Sequence, residues 1–130
     1  MRGGDQLLLP VAPHLSGLWL GIRILVENDV GAFMVLDSGS PQSVISPALG
    51  QELQSRGVLH ATSDSRYFRL TNLTARAHQL PDVRVRILPR LARLQIDGLL
   101  GLDFFRAFEL VCFRLSTSEL LLEYAPSSPR

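Results

Sequence analysis

The 130-residue chain has one cysteine, no lysine among its thirteen basic residues, and no apolar run of membrane length. Each scarcity narrows the field. A lone Cys112 excludes an intrachain disulfide framework and any multi-cysteine metal site. Its setting in "FELVCFRL" suggests a small buried thiol. About 18 consecutive apolar residues mark a spanning helix, and no stretch approaches that. The start "MRGGDQLLLPVAP" is too short in apolar residues for a signal peptide. The net charge of +1 supplies no long-range field for nucleic acid or anionic lipid. The three histidines, His14, His60 and His78, are scattered, so no metal site is expected. No G-x-S-x-G elbow occurs, which argues against a serine hydrolase. Neither metal nor cofactor is called for. The chain is expected to be soluble, in the cytoplasm, or a domain cut from a longer anchored protein.

What the chain does hold is enough apolar sequence for one core. It is 46% apolar and 19% charged, with ten Gly and eight Pro to punctuate short elements. Residues 17–27, "GLWLGIRILVE", form a strand, the turn-formers Asn28, Asp29 and Gly31 follow, and "AFMVL" returns, so a hairpin is expected here. "SPALGQELQSRG" carries helix punctuation: Ser46 as N-cap, Pro47 in the first turn, Gly57 beyond the end, and Leu49 and Leu53 on one face. "RYFRLTNLTARAHQL" gives two strand-like arms around a polar Thr71-Asn72 tip. In "DVRVRIL", Val83, Val85 and Ile87 alternate with Arg84 and Arg86, as in a half-exposed strand. Asp103 opens a short helical turn, and "RLSTSELLLEY" ends on a strand. The expected chain is mostly β with one or two short helices. Its parts are an N-terminal arm at 1–14, one domain at 15–125 and a flexible tail at 126–130.

One stretch carries chemistry. Four apolar residues in "FMVLDSGS" deliver Asp37, and the chain then turns on Ser38-Gly39-Ser40. A carboxylate at the end of an apolar strand is costly to desolvate without compensation. The form is apolar-apolar-Asp-Ser/Thr-Gly-small. Sixty-four residues after Asp37 comes a second element, Leu99-Leu100-Gly101, inside "DGLLGLDFF".

From these two elements in this order, the chain resembles the retropepsin-like aspartic proteases over roughly Gly17 to Glu123. The resemblance implies a closed, barrel-like β-fold in which the Asp-Ser-Gly loop crosses close to Gly101, a position with no side chain in the way. Leu70, Thr71, Asn72 and Leu73 would lie at the flap over the cleft. It also implies peptide hydrolysis by two carboxylates that share one proton, one activating water and the other polarising the scissile carbonyl. Ser38 would brace the loop across the site, Gly39 would let amides approach the carboxylates, and Ser40 would avoid crowding them. Only one such Asp motif is present. The pair must then come from a homodimer with one Asp37 per chain and an extended peptide between them. "QLLLPV" and "ELLLEY" are candidate interface strands.

Departures from the retroviral pattern are plain. Leu102 stands where viral members carry Arg after the second Gly, and Pro41-Gln42 stand in place of acids. The sequence is closer to cellular and bacterial relatives. The Thr71-Asn72 tip lacks glycine. Two other readings remain beside the enzyme. Asp37 serves as a turn residue accepting local amides, or the same dimeric fold binds peptide without cutting it.

Overall fold

The computed structural model describes residues 6–13 and 19–126. Period-two burial organises it. In β3 (Leu20–Val26) and β4 (Val30–Leu36), Ile22, Ile24, Val26, Val30, Ala32 and Met34 are buried on one face. Arg23 and Gly31 point the other way. The two strands form the expected hairpin, from Gly21 opposite Val35 to Val26 opposite Val30. Its turn is Glu27–Asp29, with Glu27 and Asn28 in left-handed backbone. Gly31 lies within β4 opposite Leu25, not in the turn.

The remaining elements are β1 (Gln6–Pro10), β2 (Ala12–Pro13), β5 (Ser43–Ile45), α1 (Pro47–Ser55), β6 (His60–Ala61), β7 (Phe68–Leu70), β8 (Leu73–Ala75), β9 (His78–Gln79), β10 (Val83–Ile87), α2 (Leu91–Leu94), β11 (Gly98–Leu100), α3 (Leu102–Phe105), β12 (Phe108–Arg114) and β13 (Glu119–Tyr124). The larger sheet runs β6-β7-β10-β5-β11-β4-β3-β8-β9, with β2 paired to β3. The fold is mostly β, as expected. The expected closed barrel is a curled half-barrel instead, because no ladder joins β6 to β9 among the described residues.

α1 follows its punctuation. The Ser46 side chain accepts from the Leu49 amide at 3.1 Å, Pro47 opens the helix, and Gly57 follows it at φ +73°. Leu49 and Leu53 are buried. α2 and α3 are single turns, so three helical segments stand where one or two were expected.

A second sheet, β1-β13-β12, packs one face on the core through Leu7, Leu9, Leu120 and Leu122. The "QLLLPV" and "ELLLEY" segments pair with each other within the chain, Leu8 opposite Leu121. Cys112 is exposed on β12, contrary to expectation. It faces the same side as Leu8 and Leu121, away from the buried leucines. Residues 1–5 and 14 of the expected N-terminal arm, and 127–130 of the expected tail, lie outside the described residues. No helix among the described residues is long and apolar enough to cross a membrane.

Candidate active site

β4 runs parallel to β11, with Met34, Val35 and Leu36 beside Gly98, Leu99 and Leu100. The two motif elements therefore end side by side, and their next residues are Asp37 and Gly101. The Asp37 amide donates to the Leu100 carbonyl at 3.0 Å, extending the ladder by one bond. The chain then turns. The Ser40 amide donates to the Asp37 carbonyl at 3.1 Å, and the Gly39 amide donates to Asp37 Oδ1 at 3.0 Å. That amide fixes the direction of the carboxylate. Asp37 itself is half-buried, while Ser38 and Gly39 are exposed.

Gly101 explains its own identity. A Cβ there would stand 2.5 Å from the Ser40 carbonyl oxygen and 2.8 Å from that of Gln42. Backbone, which cannot swing aside, occupies the space a side chain would need. The Leu102 amide donates to the same Ser40 oxygen at 2.8 Å, locking the Asp37 loop to the turn after β11.

Behind the loop lies a relay absent from the sequence-based expectations. The Gly101 amide donates to Ser43 Oγ at 3.0 Å, and Ser43 Oγ donates to Asp103 Oδ1 at 2.7 Å. The Ser43 and Phe104 amides donate to the same carboxylate at 3.0 and 2.9 Å. Ser43 is fully buried, and this relay both gives to and takes from its hydroxyl. Asp103 was expected to cap α3, yet Gly101 holds the cap position and the Asp103 carboxylate reaches back to β5. The available signal was a single Ser opening the short strand "SVI", which is buried at every position.

Comparison with known proteins bears on the arrangement of both elements. No protein-family model and no curated protein sequence matches the chain. Among solved structures, it is similar to a retropepsin-like aspartic protease from Rickettsia conorii, with a TM-score of 0.62 and 16% identity over 98% of each chain. It is also similar to the retroviral protease-like domain of Ddi1 from Leishmania major. That match has a TM-score of 0.59 and 14% identity, over 85% of this chain and 94% of that one.

The fold is retropepsin-like.

Within this retropepsin-like fold, Asp37, Ser38, Gly39 and Ser40 sit beside Leu99, Leu100 and Gly101. The segment Leu70, Thr71, Asn72 and Leu73 does not join them. β7 and β8 do not pair; β7 lies between β6 and β10, and β8 between β3 and β9. Thr71-Asn72 therefore crosses between strands instead of capping a hairpin. It docks on the β3–β4 turn, at the end of β4 opposite to Asp37. There the Glu27 amide donates to the Asn72 carbonyl at 3.1 Å, and the Glu27 carboxylate accepts from Asn72 Nδ2 at 2.8 Å and from the Thr71 hydroxyl. These bonds, the Asn72 amide foremost, hold the Glu27 carboxyl below its ordinary range. A seven-residue strand spans roughly 20 Å, which separates this turn from Asp37.

The hairpin that reaches the Asp37 side is β6–β7. From its loop, Tyr67 donates its hydroxyl to Gln42 Oε1 at 3.3 Å. Gln42 in turn receives Ser40 Oγ on its carbonyl at 2.7 Å. A cavity of about 680 Å³ lies elsewhere, between Leu9, Val11, Ile22, Ala32 and Ala75; Asp37 does not line it.

Proposed function

We propose that the chain is an aspartic endopeptidase, active as a homodimer that contributes one Asp37 from each subunit. One observation carries the reading: a half-buried carboxylate stands at the junction of two in-register strand ends, aimed by the Gly39 amide and backed by a side-chain-free Gly101. A residue that merely terminated a strand would need no buried relay behind it. The likeness to a Rickettsia conorii retropepsin-like aspartic protease supports the same reading at the level of fold.

Across a two-fold axis the two Asp37 carboxylates approach within hydrogen-bond range and cannot both ionise readily, so they hold one proton between them. The ionised member takes a proton from water, and the protonated member donates to the scissile carbonyl oxygen. The gem-diol intermediate collapses as a proton passes to the leaving amine. No covalent intermediate is required. Ser38 is exposed, and its hydroxyl bonds no described residue of its own chain, which leaves it free to brace the partner's loop. Gly39 and Ser40 keep the loop tight and uncrowded. The β6–β7 hairpin, rather than Leu70–Leu73, covers an extended peptide bound by strand-like backbone hydrogen bonds.

The test is cleavage of a mixed-sequence peptide library from about pH 4 to 7, the range in which a carboxylate pair titrates. Wild-type protein and Asp37→Asn are compared at several concentrations. Cleavage that rises faster than linearly with protein and vanishes in the variant is expected. Silence in both, from folded dimeric protein, would leave a peptide-binding module in its place.

A further inference from the structure

The β6–β7–β10 corner carries more positive charge than its own chain balances. Cross-strand register sets Arg84 on β10 directly opposite Arg69 on β7, with His60 on β6 opposite Arg69 in turn. Like charges directly opposite destabilise a sheet, so this arrangement has no structural merit of its own. Arg84 stacks on the Tyr67 ring at 4.2 Å from its centroid, and Arg66 lies 5.6 Å away. Arg86 stands beside the Tyr67 hydroxyl.

Two acids beside this corner, Asp64 and Glu27, are already used. Asp64 is gripped at both oxygens by Arg66, at 3.1 and 2.8 Å, which holds its carboxyl down to about 2. Glu27 is taken by His60, Thr71 and Asn72. Among the described residues, Arg69, Arg84 and Arg86 make no carboxylate ion pair. The corner is also wired to the candidate active site. The hydroxyl of Tyr67 holds Gln42, and Gln42 holds Ser40, three residues from Asp37. Tyr67 is nearly buried, so the ring is a fixed platform for the guanidinium above it.

We propose that Arg84 and Arg86 select peptides with a carboxylate side chain, Asp or Glu, near the cut but outside the two residues that flank it. This rests on the endopeptidase reading and adds a substrate class to it. Tyr67 and Gln42 stand between these guanidiniums and the Asp37 loop, which sets the acidic side chain off from the reacting bond. Arg suits the task because its planar fork meets a carboxylate with two parallel hydrogen bonds.

The experiment uses the full chain and a peptide library in which each position beyond the two residues that flank the cut is, in turn, Glu, Gln or Lys. Products are identified by mass spectrometry, and kcat/KM is measured on matched peptides. One of these outer positions should favour Glu over Gln by about tenfold or more. Arg84→Gln with Arg86→Gln should bring that ratio to near one, and Arg84→Glu with Arg86→Glu should turn it toward Lys. Circular dichroism melts confirm that each variant is folded, and the Gln pair carries the test where the Glu pair is not. Cleavage without a Glu preference, or a preference both variants keep, overturns the proposal. If wild-type protein cuts nothing, fluorescence anisotropy with the same labelled peptides decides. Glu-selective binding lost in the Gln variant sustains the selectivity while the endopeptidase reading falls. Equal binding, or none, overturns it.

Discussion

At the scale of single residues, the site depends on two positions that bear no chemistry themselves. Gly101 gives its place to the backbone of the Asp37 loop, and Ser43 passes a hydrogen bond from Gly101 to Asp103. Ser43→Ala leaves the buried Gly101 amide without its acceptor. Asp103→Ala strips acceptors from the Ser43 hydroxyl, the Ser43 amide and the Phe104 amide. Each should cost about 1–3 kcal/mol, the usual consequence of stranding buried polar groups. Because both break one relay, the double variant should lose clearly less than the sum. Urea unfolding of the four proteins measures this, and simple additivity would mean that the relay is not a unit. Asp37→Asn should change stability little by comparison, since its Oδ1 can still accept from Gly39.

Among the elements, those read correctly from sequence have their cause within a few neighbouring residues. α1 has a cap, a proline and a terminating glycine in one 12-residue window. The expected alternation in β10 holds over Val83, Arg84 and Val85, while Arg86 and Ile87 are both half-buried. The elements misread are those decided by distant partners. "RLTNLTA" has two arms and a polar middle, as a hairpin would, but β8 is drawn to β3 by burial of Leu73 and Ala75. Glu27, 45 residues upstream of Asn72, then captures the polar middle. No local pattern in "RLTNLTA" records that acid. The same contact gives a pH prediction. Its folded-state carboxyl is held below the ordinary glutamate value, so the folded chain prefers the ionised form. The stabilisation is full above the ordinary value and is lost as pH falls through the lowered one. Glu27→Gln should therefore cost about 1 kcal/mol at neutral pH, and the gap to wild type should narrow below about pH 4. Thermal melts at pH 7, 5 and 3 check it. A gap that stays constant across the three would show that the ionised carboxylate contributes nothing beyond an amide's hydrogen bonds.

For the whole molecule, the homodimer proposed above needs a surface, and the second sheet offers one. Its outward face carries Leu8 at 43% exposure and Leu110 at 44%, with Leu121 and exposed Cys112 between them. On the opposite face Leu7, Leu9, Leu120 and Leu122 are committed to the core. Pairing of β1 with β13 inside one chain leaves this face, rather than unpaired chain ends, to meet a second copy. Its charged residues lie toward the margins, with Glu123 bonded to Gln6 at 2.6 Å. An apolar centre with a polar border is the usual anatomy of such contacts. A stable dimer buries about 800 Å² on each partner, so the sheet would supply the centre and neighbouring segments the remainder. Leu8→Arg should place a charge in the Leu8–Leu121–Cys112 row without touching the core side of β1. The variant should keep the wild-type circular dichroism spectrum yet sediment as a monomer. Any peptidase activity should fall with it, and return in part as protein concentration is raised. A variant that sediments as wild type does would move the interface elsewhere. A folded monomer that still cuts peptides would be the graver result, because one chain holds one Asp37 and the chemistry requires two.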